Sequence, residues 1–200
     1  MAEKLHIKEW SKRLGIKQDL VKKVWQFYKA KIIEKKDIIT NMSVCIYLVC
    51  RKYQMPFTLY EVSMASGVPS RFIHKKYRAV ARATGMRIVS PRIWDYIPRF
   101  CLIIDKKMDD KTIKKAVKIS KWAQKHCPQI LTCSPIGIAS ACIYLATDDE
   151  IIQRFIADKI GVTDNTIRKI SREIKFASGK DLEELMAGMA KKRRRKNETR

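Results

Sequence analysis

The chain has 200 residues, which fits one large domain or two of about 100 each. It carries 43 Lys and Arg against 20 Asp and Glu, a formal net charge of +23, with 46% hydrophobic residues and only 7 Gly and 6 Pro. That balance argues against collagen, a long flexible linker or a repeat-rich all-β chain and points to a packed helical core with a polyanion, nucleic acid first, as partner. No window approaches 18 consecutive apolar residues, so no membrane span or membrane partner is expected. The first 20 residues, MAEKLHIKEWSKRLGIKQDL, are charged and do not form an export signal, so the expectation is an intracellular protein.

Asp19 precedes LVKKVWQFYKAKII, where Leu20, Val24, Phe27, Tyr28 and Ile32 recur at helical spacing with Lys22, Lys23, Lys29 and Lys31 opposite. MSVCIYLVCRKY is apolar almost all round and predicts a central buried helix. EVSMASGVPSRFIHKKYRAV, residues 61–80, has the outline of a helix–turn–helix with Gly67 at the turn. Its outward face holds Ser70, Arg71, His74, Lys75 and Arg78, and Arg51 adds to that face, which suits phosphate or an acidic protein surface. GMRIVSPR, residues 85–92, breaks any helix through Gly85, Ser90 and Pro91 and marks a join.

PIGIASACIYLAT predicts a second central helix, whose Gly137, Ala139, Ser140 and Ala141 permit close approach of neighbours. RFIADKIGVTDNTIRKISREIKF, residues 154–176, is the most informative stretch. A short helix would carry Phe155, Ile156 and Ile160 on one face, Gly161 would make a left-handed turn, and Thr163 would cap a second helix over 164–175. Ile167, Ile170 and Ile174 would face inward, leaving Asn165, Arg168, Lys169 and Arg172 outside. In a DNA-binding corner of this kind the start of the second helix meets base edges, Arg pairing with guanine and Asn with adenine. Asn165 and Arg168 stand at that place, while Lys169, Arg172 and the Thr166 hydroxyl suit phosphates. An ordinary helical corner with a solvated charged face is the alternative. The chain then ends in MAGMAKKRRRKNETR, a basic tail that fits DNA contact, a nuclear import signal or a disordered charged end.

The segments repeat. SVCIYLVC at 43–50 matches SACIYLAT at 140–147, and LYEVSMASGVPSRFI at 59–73 matches QRFIADKIGVTDNTI at 153–167. LVKKVWQFY at 20–28 resembles TIKKAVKIS at 112–120, and WSKRL at 10–14 resembles YIPRF at 96–100. The offsets run 97, 94, 92 and 86, which we attribute to loops, the connection after the CIYL helix being three residues shorter in the second copy. The expected organisation is all-α, with about five helices per copy and no strands: a first repeat over 1–88, a second over 89–184, and a basic tail over 185–200. Six cysteines without a CxxC pair, mostly inside apolar runs, read as buried free thiols. His6, His74 and His126 are scattered, so no zinc site is expected.

Two five-helix copies, each with a CIYL central helix and a glycine-turn helix–turn–helix, resemble the core of transcription factor IIB and its archaeal counterpart, transcription factor B. DYIPRF at 95–100 and GVTDNTIRKISREI at 161–174 are especially similar to that family, and the resemblance covers roughly residues 10–176. It implies tandem cyclin-like repeats that bind TATA-binding protein on promoter DNA, at the TATA region and an upstream element, with RNA polymerase reached indirectly. It also implies that Arg168 reads a base and that Arg51 and Arg71 meet TATA-binding protein. Asn165 stands where the family often has a small apolar residue, a departure that bears on which bases are read. The family's N-terminal zinc ribbon is not expected here, since Met1 lies a few residues before the first repeat; a core fragment and a natural short, regulatory version both fit. The resemblance places the protein in the cytoplasm of an archaeon or the nucleus of a eukaryote. A cyclin-type protein-interaction module and a general DNA-binding protein are the alternatives. Paired catalytic carboxylates, a Ser/His/Asp set, a P-loop and HExxH are not found, so neither catalysis nor a cofactor is expected.

Overall fold

The structure, a computed structural model, describes residues 2–30, 37–148 and 151–178. Among these residues every regular element is a helix. They form two compact units divided between Pro91 and Arg92.

The first unit contains α1 (Ala2–Leu14), α2 (Gln18–Lys29), α3 (Ile38–Lys52), α4 (Leu59–Ser66) and α5 (Ser70–Ala83). The centre is α3, buried without interruption from Thr40 to Arg51, because a helix apolar on all sides has no face to give to water. The other four helices pack on it. Ile7, Val24, Phe57, Val62 and Ile73 are sealed from solvent in this core, each such side chain contributing about 1.5–3 kcal/mol of burial free energy. Asp37 caps α3 by accepting the Thr40 N–H at 3.1 Å. That hydrogen bond holds the Asp37 carboxyl below its ordinary pKa. Helix α2 starts two residues before Leu20 and buries Val24 fully, with Leu20, Phe27 and Tyr28 half-buried. Lys31 and Ile32, assigned to this helix by the pattern, lie outside the described residues.

The second unit contains α6 (Ile93–Ile104), α7 (Asp110–His126), a 3-10 turn (Pro128–Thr132), α8 (Pro135–Ala146), α9 (Gln153–Ile160) and α10 (Asp164–Ser178). Here α8 is central, with α6, α7, α9 and α10 packed on it. Pro135 starts the helix where its missing N–H costs nothing, and Ser134 caps it by accepting the Gly137 N–H at 3.1 Å. The 3-10 turn has no marked signal in the sequence. Residues 179–184 of the expected second repeat, and the whole 185–200 tail, lie outside the described residues.

The two copies correspond cap for cap, which corrects two details of the repeat. Asp37 and Ser134 are equivalent caps at the offset of 97. Helix α3 then runs to Lys52, three residues past the counterpart of Ala146, after which both connections, 53–58 and 147–152, have six residues. The second copy therefore has a shorter helix, not a shorter loop. At the start of each copy, Ile7, Trp10, Ser11 and Leu14 occupy the buried register of Ile97, Phe100, Cys101 and Ile104. That offset is 90, one helical turn from the WSKRL/YIPRF match at 86, a slip that helical periodicity readily permits.

The six cysteines are free thiols, five buried and Cys133 half-buried. Burial pushes Cys45 and Cys101 up to about 12, and raises Cys142 further. Among the described residues no cluster of His, Cys, Asp and Glu is arranged to hold a metal ion, and no helix is long and apolar enough to cross a membrane.

Candidate nucleic-acid interface

In the second unit the corner is built by Gly161. It adopts φ 79°, a left-handed conformation that costs glycine little, and its N–H closes α9 on the Ala157 carbonyl at 2.8 Å. Thr163 then caps α10, its Oγ1 accepting the Thr166 N–H at 3.2 Å. Ile156, Ala157 and Ile160 of α9 and Ile167, Ile170, Ser171 and Ile174 of α10 fill the inner side. The buried Ser171 hydroxyl donates to the Ile167 carbonyl at 2.7 Å, so it brings no unpaired polar group into the core. Phe155 does not join this face as expected. It is 41% exposed, with the Lys159 ammonium 5.4 Å from its ring centre. A helix of only two turns offers a narrow buried stripe, and Ile156 and Ala157 fill it.

The outer side of α10 presents Asn165, Arg168, Lys169 and Arg172, all exposed and spaced i, i+3, i+4 and i+7, hence on one face. Arg168 is held across that face by Asp164 at 3.2 Å. Thr166 is half-buried. Its hydroxyl lies 2.7 Å from that of Thr163, and its methyl lies over Gly137 of α8, where even a single added carbon would come within 2.8 Å. The absence of a side chain at Gly137 is what lets the start of α10 lie this close to the central helix.

In the first unit Gly67 adopts φ 73° and plays the part of Gly161, while Thr58 and Glu61 form a reciprocal capping box at the start of α4. Arg71, His74, Lys75 and Arg78 are exposed along α5, and Arg82 extends the same row at i+11. Helix α5 contains no acidic residue, whereas α10 carries Asp164 and Glu173. The Arg71 guanidinium lies 4.9 Å from the ring centre of Phe72, which is 48% exposed. Further along, Tyr77, Ala81, Met86 and Ile88 with Arg78, Arg82 and Arg87 line an open depression of about 460 Å³.

A scan against protein-family models finds no match. Among curated proteins, the chain is 32% identical over 148 residues to transcription initiation factor IIB of Archaeoglobus fulgidus, covering 72% of this chain and 44% of that protein. It is 31% identical over 172 residues to transcription initiation factor IIB of Methanothrix thermoacetophila, covering 80% and 49% respectively. Transcription initiation factor IIB 1 of Thermoplasma volcanium is 32% identical over 149 residues, with 73% and 47% covered. The chain belongs to the transcription factor IIB family. It spans just under half the length of these relatives, and its two units, each with five α-helices among the described residues, are the family's cyclin-like repeats.

Seen within the transcription factor IIB family, the structure gathers Asn165, Arg168, Lys169 and Arg172 on one face and Arg71, His74, Lys75 and Arg78 on another. Thr166 is half-buried beside the first of these rows, its methyl packed at the α8 crossing and its hydroxyl 2.7 Å from that of Thr163. The structure also corrects Arg51. That residue is 7% exposed, donates from Nε to the Tyr47 hydroxyl at 2.8 Å and has its guanidinium carbon 5.0 Å from the Tyr47 ring centre. Arg51 is a packed structural cation, not a member of the surface row. It lies behind a stack in which Tyr47 meets Tyr77 edge-on at 4.9 Å and Tyr77 meets His74 at 5.5 Å. The sequence reading missed Arg82, which its i+4 spacing from Arg78 makes detectable, and Asp164, whose hold on Arg168 is visible as an i, i+4 acid–base pair.

Proposed function

We propose that the chain is an intracellular transcription-initiation factor that engages TATA-binding protein on promoter DNA and carries out no catalysis. The observation that carries this reading is the exposed row Asn165, Arg168, Lys169 and Arg172 on a second helix entered through a glycine turn. A helix fits the major groove, where guanine offers N7 and O6 to an arginine fork and adenine offers N7 and N6 to an amide. Arg168 and Asn165, near the start of α10, serve base reading in this account, and Lys169 and Arg172 grip phosphates. The acid-free face of α5, with Arg71, His74, Lys75 and Arg78, supplies phosphate contact and, at Arg71, contact with TATA-binding protein. RNA polymerase is met through the assembled complex.

The test is a gel shift on a TATA-containing duplex, with and without TATA-binding protein, at two salt concentrations. Arg168→Ala is expected to lose about 1–3 kcal/mol of binding and to relax preference at one position. Lys169→Ala is expected to weaken every sequence alike and to lower the salt slope by about 1. Equal losses from both variants on every sequence would falsify the base-reading role. Retention of any duplex irrespective of TATA-binding protein would instead make the repeats a general DNA-binding module.

A further inference from the structure

We propose that the lysine face of α7 is a second, sequence-independent contact surface for the phosphate backbone of duplex DNA. Lys111, Lys114, Lys118, Lys121 and Lys125 follow at i, i+3, i+7, i+10 and i+14, so they run along one side of the helix, and each is exposed. The opposite side, Ala116, Ile119, Ser120 and Ala123, is buried in the second unit's core. At a rise of about 1.5 Å per residue the row is about 21 Å long. A duplex strand offers a phosphate about every 3.4 Å of axis, so this length faces about six of them.

Compensating acid is scarce along the row. From Lys111 to His126 the sequence contains no Asp or Glu. At the start of the helix, Asp109 accepts the Thr112 N–H at 3.0 Å as its cap, and Asp110 approaches Lys114 at 3.7 Å with both side chains largely in water. Lys115 lies off the row and pairs with Asp148. Like charges at i, i+3 and i, i+4 destabilise a helix. The isolated fold therefore carries repulsion along this face that a polyanion relieves, with release of the counterions condensed on the DNA.

The chemistry favours phosphate over an acidic protein surface. No residue of α7 is among the large exposed hydrophobics, whereas protein interfaces draw their affinity from apolar and aromatic anchors. All five cations are lysines, point charges suited to phosphate without geometric selection. Lys121 is steadied 5.4 Å from the ring centre of Trp94, which also has Arg92 at 5.7 Å. The surface lies on a different helix from the base-reading row of α10, and it rests on the reading that this chain binds DNA.

The experiment uses the full chain and a random-sequence duplex of about 30 base pairs, with affinity measured by fluorescence anisotropy across a range of salt. A combined variant, Lys114→Gln with Lys118→Gln and Lys125→Gln, is expected to flatten the plot of log affinity against log salt by about 2.7, at about 0.9 for each phosphate that is no longer neutralised. Preference among duplex sequences should not change. The matching Lys→Arg variant should restore the slope, and the single change Lys118→Gln should lower it by about 0.9. An unchanged slope in folded variants overturns the proposal. So does a loss confined to binding of polyglutamate, which would assign the face to an acidic protein. Absence of duplex binding by the unaltered chain overturns this proposal and the proposed function together, whereas unaltered-chain binding with an unmoved slope overturns this one alone.

Discussion

Replacing Gly137 by alanine probes the close crossing of α8 and α10 in the second unit. The new Cβ would stand 2.8 Å from Thr166 Cγ2, 3.3 Å from Ile170 Cδ1 and 3.4 Å from Ser134 Oγ. Carbon pairs prefer about 3.5–4.0 Å, so the methyl of Thr166 must retreat by roughly 1 Å. It cannot do so by rotation at little cost, because a β-branched side chain in a helix is confined at χ1 and its hydroxyl is held 2.7 Å from Thr163. Alanine itself gains about 0.5–1 kcal/mol over glycine inside a helix. Overpacking costs about 1–3 kcal/mol, so the expected net loss is about 1 kcal/mol, within bounds of about 0–2.5 kcal/mol. Thr166→Ser deletes the offending methyl and keeps the hydroxyl, so the double variant should recover most of that loss. Urea unfolding followed by far-ultraviolet circular dichroism measures all four corners of the cycle, with a coupling of about 1 kcal/mol expected. If Gly137→Ala is as stable as the parent, or if the two changes simply add, the crossing is looser than these distances require and the reason for glycine there is lost.

Two further predictions concern buried groups. Arg51→Ala should cost about 2–3 kcal/mol of stability, since it strips a charged donor from the Tyr47 hydroxyl inside the first unit; a melting temperature equal to the parent's would return Arg51 to the surface row. The native chain should show a single fast thiol toward an aromatic disulfide reagent at pH 8, Cys133, and all six after unfolding. Cys45, Cys101 and Cys142 are held as unreactive thiols by desolvation, and two or more fast thiols in the native chain would contradict their burial.

The parts of the fold legible in the sequence are those where chemistry is repeated or extreme. The CIYL helices are apolar all round, which leaves only the centre of a helical unit for them. Gly161 with Thr163, and Gly67 in the other copy, announce their turns because few other residues accept that backbone. The register of α1 was harder to read. Its buried residues, Ile7, Trp10, Ser11 and Leu14, form a thin stripe among charges, and a shift of one turn matches almost as well. The burial of Arg51 was invisible because a cation beside an apolar run looks the same whether it points into water or folds back on a tyrosine four residues earlier. Phe155 misled for the opposite reason: an aromatic in a short helix suggests core, yet two turns have room for little more than Ile156, Ala157 and Ile160. The lysine row of α7 was present in the periodicity all along, and only the burial of its opposite side separates an ordered charged face from a merely basic segment.

Gly137 has one more consequence, for how the two halves of the molecule can be exchanged. In the first unit its register is held by Thr40, and that of Thr166 by Phe72, whose ring is turned toward solvent. The corners therefore differ beneath the surface as well as on it. Transplanting the sequence from Asn165 to Lys169 onto Arg71 to Lys75 would carry across the outward side chains and a threonine that needs a bare neighbour, and would find Thr40 in the seat. A working chimera requires the buried partner to be moved with the visible row.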